Sequence, residues 1–432
     1  MEKLHEAARA ALDALTALGA EKASVQAQDS ETVELNALGG EFTLMRTLLD
    51  RELILTAIKD GKRGTARVNR LEAEAIRQAA EDCMAVAASG ESDPAWDLAP
   101  EAETGDFTSG TPEADPDRLF DRSRELLEGI KETYPHVIVE EMVTEHRLTR
   151  EVYLNTAGSR FTEVSGHYTA ELMFSGHEGD KATSFFSSAV TVPDLNRPFL
   201  ELGTLAKDLR SAELSLEAET TQGAGMGDIL VHPDLLMEFL EVAADLFCSD
   251  RALIDGTSPW KDKLGKAVAD PRLSVKVKPS DERICGGETY TQEGFRTRDY
   301  DWLKDGVLES FCLSLYGANR TGLPRAPGGD FSLVMEPGDK TLEELTASIE
   351  NGLLVGRFSG GEPSPNGDFS GVAKNSFRIQ NGKLGKAVNE TMISGNLAEL
   401  LRHVGGISAE LVCSGSYVLP WVVFRDVVIS GS

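Results

Sequence analysis

Beyond Gln222 the chain becomes a run of short apolar segments separated by glycine, and this half constrains the architecture most. RLSVKV, GVLESFCLSLY, FSLVME, GLLVGRF, NSFRIQNGKLG, ISAELVCSG and VVFRDVVISGS each hold enough residues for one or two strands. Short strands with Gly-rich turns predict a curled antiparallel sheet or barrel-like domain. Two short helices interrupt the strands, at Thr341 to Glu350, where TLEEL opens with a capping box, and at Asn396 to Leu401. A longer helix, Pro233 to Phe247, follows the strand GDILV, with proline suited to its first turn. Gly223-Ala224-Gly225-Met226-Gly227 precedes a strand instead of joining strand to helix, so it makes no phosphate cradle and is expected to be a flexible interdomain joint.

The N-terminal half mixes periods. Leu4, Ala8, Ala11, Leu12, Leu15 and Leu18 share one helical face ahead of Gly19. From Ala23 to Val68 the pattern is that of short strands, with turns at Gly39-Gly40 and Asp60-Gly61. Leu71 to Ala88 is helical, with Ala75, Ile76, Ala79, Cys83 and Val86 facing inward. Residues 89–117 are acidic and rich in Pro, Gly, Ser and Thr, and read as a surface connection. Another helix, Arg118 to Tyr134 with Asp117 as cap, precedes several strands and a third long helix around Glu201 to Thr220. Helix–strands–helix thus occurs twice. The expected class is α+β: an N-terminal α/β-layered domain over 1–220 with an internal duplication, then a β-rich barrel-like domain over 221–432.

Charge excludes one class of ligand. Lys and Arg total 43 against 71 Asp and Glu, a net charge of −28, and no basic cluster reverses it locally. Such a field repels phosphate backbones, so nucleic acid is not an expected partner. No apolar run approaches the roughly 20 residues that span a bilayer, so no membrane is expected. MEKLHEAARAALDAL lacks the apolar core of a signal peptide, which makes a cytoplasmic location the default expectation. Cys83, Cys248, Cys285, Cys312 and Cys413 are scattered without metal-ligand spacing, and the first, second and fourth sit in apolar patterns as buried thiols.

The segment GLLVGRFSGGEPSPNGDFSGVAKNSFRIQNGKLGKAVNETMISGN resembles the signature of the TldD/PmbA family. Its elements stand at Gly352 to Val355, Asn366 to Ser370, Ile379 to Gly382 and Thr391 to Asn396. The ending VVFRDVVISG resembles the family's closing strand, and Lys261 to Val275 the stretch after the central helix in the PmbA-type (TldE) branch. An older label connects the family to DNA gyrase; with this charge such a link would run through proteolysis. The resemblance implies a protein working in pairs, in which one subunit binds zinc through HExxxH and the other does not. The pair is expected to cleave unfolded or flexible peptides, sometimes as a maturation protease. The partner would be a HExxxH-bearing TldD-like homologue in a heterodimer or larger assembly, with a homodimer when the chain is alone.

Two imidazoles presented by one helical turn can grip zinc while a neighbouring glutamate activates water. None of His5, His136, His146, His167, His177, His232 and His403 has another four or five residues away. Gly176 and Gly179 make a helix at His177-Glu178 improbable, and His167 and His177 are expected in a strand pair, facing each other. In the helix HPDLLMEFLEVAADLFCSD the apolar pairs recur at helical spacing, and Glu238, Glu241 and Asp245 form its solvated side. His232 precedes this helix with no ligand partner expected within one turn. Cys413 occupies a region where the catalytic branch uses a third zinc ligand, but its Leu-Val-Cys-Ser-Gly setting departs from that branch's. No catalytic or metal residues are therefore assigned; His232 and Cys413 are the weak candidates, and zinc is expected in the partner and not in this chain. Two other readings stand beside the partner-subunit one: a peptidase acting alone through His232, Cys413 and a carboxylate, and a stand-alone peptide-binding adaptor.

Overall fold

The structure, a computed structural model, describes residues 1–431. The N-terminal half runs α1 (Glu2–Ala17), β1 (Lys22–Leu38), β2 (Glu41–Lys59), β3 (Lys62–Val68), α2 (Ala73–Ser89), β4 (Thr104–Gly110), α3 (Pro116–Thr133), β5 (Val137–Asn155), β6 (Arg160–Glu178), β7 (Lys181–Ala182), β8 (Phe186–Val192) and α4 (Leu205–Leu214). The expected short strands are in fact long, β1 having 17 residues and β2 19. Turn residues set the hairpins: Gly39 and Gly40 take positive φ between β1 and β2, as do Asp60 and Gly61 between β2 and β3.

The first sheet is ordered β3-β2-β1-β5-β6, with β8 antiparallel to one half of β6 and β4 parallel to the other. It is symmetric about the antiparallel β1–β5 pair, since β3-β2-β1 on one side answers β8-β6-β5 on the other. Each half has its own helical cover. Leu4, Leu12 and Leu15 of α1 and Ile76 and Cys83 of α2 pack on Val25, Leu53 and Leu55. Leu119 and Leu126 of α3 and Leu209 of α4 pack on Met142, Leu172 and Phe174.

Several boundaries differ from the sequence expectation. The acidic 89–117 stretch contains β4, whose TGDFTSG carries one large apolar side chain and takes its register from β6. Asp115, not Asp117, caps α3, accepting from the Arg118 N–H at 3.0 Å. The long helix around Glu201 to Thr220 is only the ten residues of α4. Val86 is exposed, and Cys312 is partly buried where Cys83 and Cys248 are fully buried.

The chain enters the second sheet at β9 (Ala218–Thr220) and continues through β10 (Ala224–Val231), α5 (Pro233–Cys248), α6 (Asp250–Ile254), β11 (Val275–Val277), β12 (Tyr300–Lys304), β13 (Val307–Leu308), α7 (Leu315–Thr321), β14 (Leu333–Met335) and α8 (Leu342–Ala347). It ends with β15 (Asn351–Val355), β16 (Arg357–Gly360), β17 (Asp368–Lys374), β18 (Ser376–Gln380), β19 (Lys383–Asn389), β20 (Met392–Asn396), α9 (Leu397–Leu400), β21 (Val404–Cys413) and β22 (Val418–Ser430). These 14 strands form one sheet in which β22 pairs with β10, β14, β20 and β21. That branching curls the sheet around α5, whose Leu236, Phe239, Leu240 and Phe247 join its core.

The glycine-rich segment is part of that sheet and not a flexible joint. Ala224 to Val231 pairs antiparallel with β22, and Asp228 to Val231 also pairs parallel with β15. A Cβ on Gly227 would sit 2.7 Å from Ile429 Cδ1 and 3.0 Å from the Asn351 carbonyl, so close packing explains that glycine.

A similar approach seats α2 on β3, where a Cβ on Gly64 would lie 2.1 Å from the Cys83 carbonyl oxygen. Gly64→Ala is expected to lower stability by about 1–3 kcal/mol in urea unfolding, because backbone must shift to admit it. An unchanged midpoint would contradict that packing.

Candidate functional site at the domain junction

The two sheets meet through specific hydrogen bonds. Thr191 N–H donates to the Ser414 carbonyl at 2.7 Å, and the Cys285 thiol donates to the Thr191 carbonyl at 3.7 Å. Thr289 Oγ1 donates to Glu163 Oε2 at 2.6 Å, Tyr153 hydroxyl to the Gln292 carbonyl at 3.1 Å, and Tyr290 hydroxyl to Glu151. The Tyr290 ring stacks on Phe161 with centroids 4.6 Å apart.

Grooves lie along these contacts, two of them flanked by the Thr289 and Thr191 bonds. The larger, about 860 Å³, lies between β4, Glu163 and His167 on one side and residues 279–289 and 296–299 on the other. Burial pushes two of its carboxylates, Glu163 and Glu288, up, the hydrogen-bonded Arg283 guanidinium holds Asp281 below the usual carboxylate range, and burial lowers His167 below the usual imidazole range. The smaller groove, about 580 Å³, is lined by Thr169, Glu171 and Thr191 of the first sheet and by Asp234, Ser414 and Tyr417 of the second domain.

Beside the smaller groove stands His232. As N-cap of α5 it turns Nδ1 toward the Asp234 backbone N–H, which donates to it at 3.3 Å. Asp234 Oδ2 lies 3.5 Å from the same nitrogen, and Asp208 Oδ1, from α4 of the other domain, lies 3.5 Å from Nε2. Hydroxyls hold the remaining carboxylate oxygens: Thr204 Oγ1 donates to Asp208 Oδ2 at 2.7 Å, and Tyr417 donates to Asp234 Oδ1. Trp421 meets the imidazole edge-on at 5.8 Å, and Lys207 Nζ sits 4.1 Å from the Trp421 ring centroid. Burial pushes Asp208 up, while the nearby His232 opposes that shift, and burial lowers Lys207.

His232 is thus joined by two carboxylates. Asp234 stands two positions from His232 in the sequence, outside the helical spacing of paired ligands. Asp208 gave no sequence signal, being brought in by the docking of α4. Cys413 is not in this cluster. It ends β21, exposed, and pairs with Val418; burial raises its thiol and Arg283 opposes the rise. His167 and His177 both lie on β6 and do not face each other. His177 Nε2 is 2.9 Å from Ser175 Oγ, whereas His167 lines the larger groove.

The chain is an α+β protein built on two joined sheets, and comparison with known proteins shows what it is similar to. Residues 224–431 match the family described as the PmbA/TldA metallopeptidase C-terminal domain. A metalloprotease of Methanothermobacter thermautotrophicus is 29% identical over 199 residues, 43% of this chain and 44% of that protein. Metalloprotease PmbA of Escherichia coli O157:H7 is 28% identical over 42% of this chain and 43% of its own length. The chain thus aligns with less than half the length of these curated relatives. The fold similarity is wider. TldE from Thermococcus kodakarensis superposes with a TM-score of 0.83 at 20% identity, over 99% of this chain and 100% of that one. A candidate modulator of DNA gyrase from Bacteroides thetaiotaomicron gives 0.83 at 22% identity, over 99% of both chains. Among the described residues no helix is long and apolar enough to cross a membrane.

The zinc of such peptidases does not fit α5. Its outward side offers Glu238, Glu241 and Asp245, which are exposed, and no imidazole. Carboxylates alone at that spacing lack the nitrogen donors of a catalytic zinc.

Glu151, under Tyr290, is pushed up to about 7, chiefly by burial. A raised carboxyl value means the folded chain holds the proton more tightly. Its stabilising contribution is therefore full below about 4.5 and is lost as pH rises to about 7. Glu151→Gln should flatten the stability profile across that window by up to about 3 kcal/mol, read by urea unfolding at several pH values. Identical profiles for variant and parent would contradict the assignment.

Proposed function

We propose that this chain is the non-catalytic, PmbA/TldE-like subunit of a two-component zinc metallopeptidase acting on unfolded or flexible peptides, working with a HExxxH-bearing homologue in the cytoplasm. The observation that carries the reading is α5. It occupies the place that the family resemblance assigns to the zinc helix, yet it packs with Leu236, Phe239 and Leu240 and offers only carboxylates outward. The C-terminal family match and the likeness to a structure named TldE support the branch.

On this reading the chain supplies walls and strand edges. Among the described residues strand β4 pairs with β6 alone, and it lines the larger groove, so its other edge has main-chain groups to offer an extended peptide. Such binding would be indifferent to side-chain sequence, as suits substrates that are flexible. Water activation, and the zinc that performs it, belongs to the partner.

The test is peptidase activity of this chain, of a HExxxH-bearing homologue, and of the two co-expressed, each with and without chelator. The expected result is chelator-sensitive cleavage of unfolded peptides by the pair and none by this chain alone. Cleavage by the isolated chain would overturn the proposal. A chain that binds peptide but neither associates with the homologue nor alters its activity would favour the adaptor reading.

A further inference from the structure

Asp208, His232 and Asp234 come together where α4 docks against the start of α5. Two carboxylates flank one imidazole whose Nε2 is buried and has no hydrogen-bond partner. The histidine is only 8% exposed, and the Asp208 side chain 14%. Leaving a polar nitrogen of this kind unpaired costs roughly 1–3 kcal/mol. The nitrogen points at Asp208 Oδ1, and 3.5 Å is long for a hydrogen bond. It is, however, close to the spacing of two ligands that each stand about 2.0–2.2 Å from one tetrahedral ion. One ligand atom from each of the three residues lies within 4.8 Å of the others.

We propose that Asp208 and His232 bind a divalent transition cation, zinc in the first instance, that clamps the two domains together. Asp208 Oδ1 and His232 Nε2 are the direct ligands, one from each domain. Binding at Nε2 moves the ring proton to Nδ1, where Asp234 Oδ2 accepts it; the ring stays neutral, and its contact with the Asp234 N–H is given up. Asp234 thereby fixes the ring from behind, as carboxylates commonly do for metal-bound histidines. Thr204 and Tyr417 already hold the outer oxygens of the two carboxylates, so both are oriented before any ion arrives. The adjoining groove, lined by Asp234, gives an entry path and supplies water for the remaining positions. A mixed nitrogen and oxygen donor set selects a transition cation over magnesium or calcium. The site is separate from α5's outward face and from Cys413, and the proposal does not depend on the pairing proposed above.

The test is zinc titration of the full chelator-stripped chain against a chromophoric chelator, with thermal unfolding followed in parallel. One saturable site per chain is expected, with a thermal midpoint that rises with zinc concentration. Asp208→Asn and His232→Gln should each weaken binding by about 100-fold and abolish the thermal shift, and Asp234→Asn should weaken it by about tenfold. Cys413→Ser should change neither. Should the variants fold poorly, X-ray absorption at the zinc edge on the parent chain still decides, with one imidazole, oxygen donors and no sulfur expected. No saturable binding, binding unaffected by the Asp208 and His232 changes, or a sulfur ligand would each overturn the proposal.

Discussion

The second domain depends on the pairing of β22. This strand reads VLPWVVF through its buried part and bonds to β10, β14, β20 and β21. A strand that serves four neighbours cannot be moved without opening the sheet, and its apolar side chains form much of the core that α5 covers. The same strand brings Trp421 against His232, and the turn before it brings Tyr417 to Asp234. Core formation and the geometry of the junction are therefore one event.

Placing α5 in that core has a chemical consequence. A helix that holds zinc must spend side chains on nitrogen donors within reach of substrate. Here the inward positions are apolar, and the outward ones are Glu238, Glu241 and Asp245. The helix thus contributes packing, and its N-terminal end contributes a domain contact through His232. Grooves lie between the sheets, with the edge of β4 along one of about 860 Å³.

Much of this was legible in the sequence because local chemistry agreed with the fold. The α1 stripe from Leu4 to Leu15, the Asp60-Gly61 turn, the Thr341 capping box and the Pro233 helix start each depend on neighbours within a few residues, and each is present, whereas Leu18 falls beyond the helix and is exposed. The duplicated order of the first half is mirrored about β1 and β5. What sequence reading missed depended on distant partners. β4 is a strand because β6 lies beside it, the Gly225–Gly227 stretch is a strand because β22 and β15 leave no room for side chains at Gly227, and Asp208 meets His232 because α4 docks there. Periodicity carries no information about such encounters. The residues that ended up together at the junction are separated by up to about two hundred positions, Asp208 from Tyr417.

The central claim is that α5 is a packing helix and that catalytic metal belongs to another chain. Anomalous diffraction at the zinc edge, from crystals of this chain in complex with a HExxxH-bearing homologue, tests it most directly. The account predicts a zinc peak on the homologue's histidine pair and no density on the Glu238, Glu241 and Asp245 side of α5 or at Cys413. A zinc peak on that side of α5, or bound by Cys413, would contradict it.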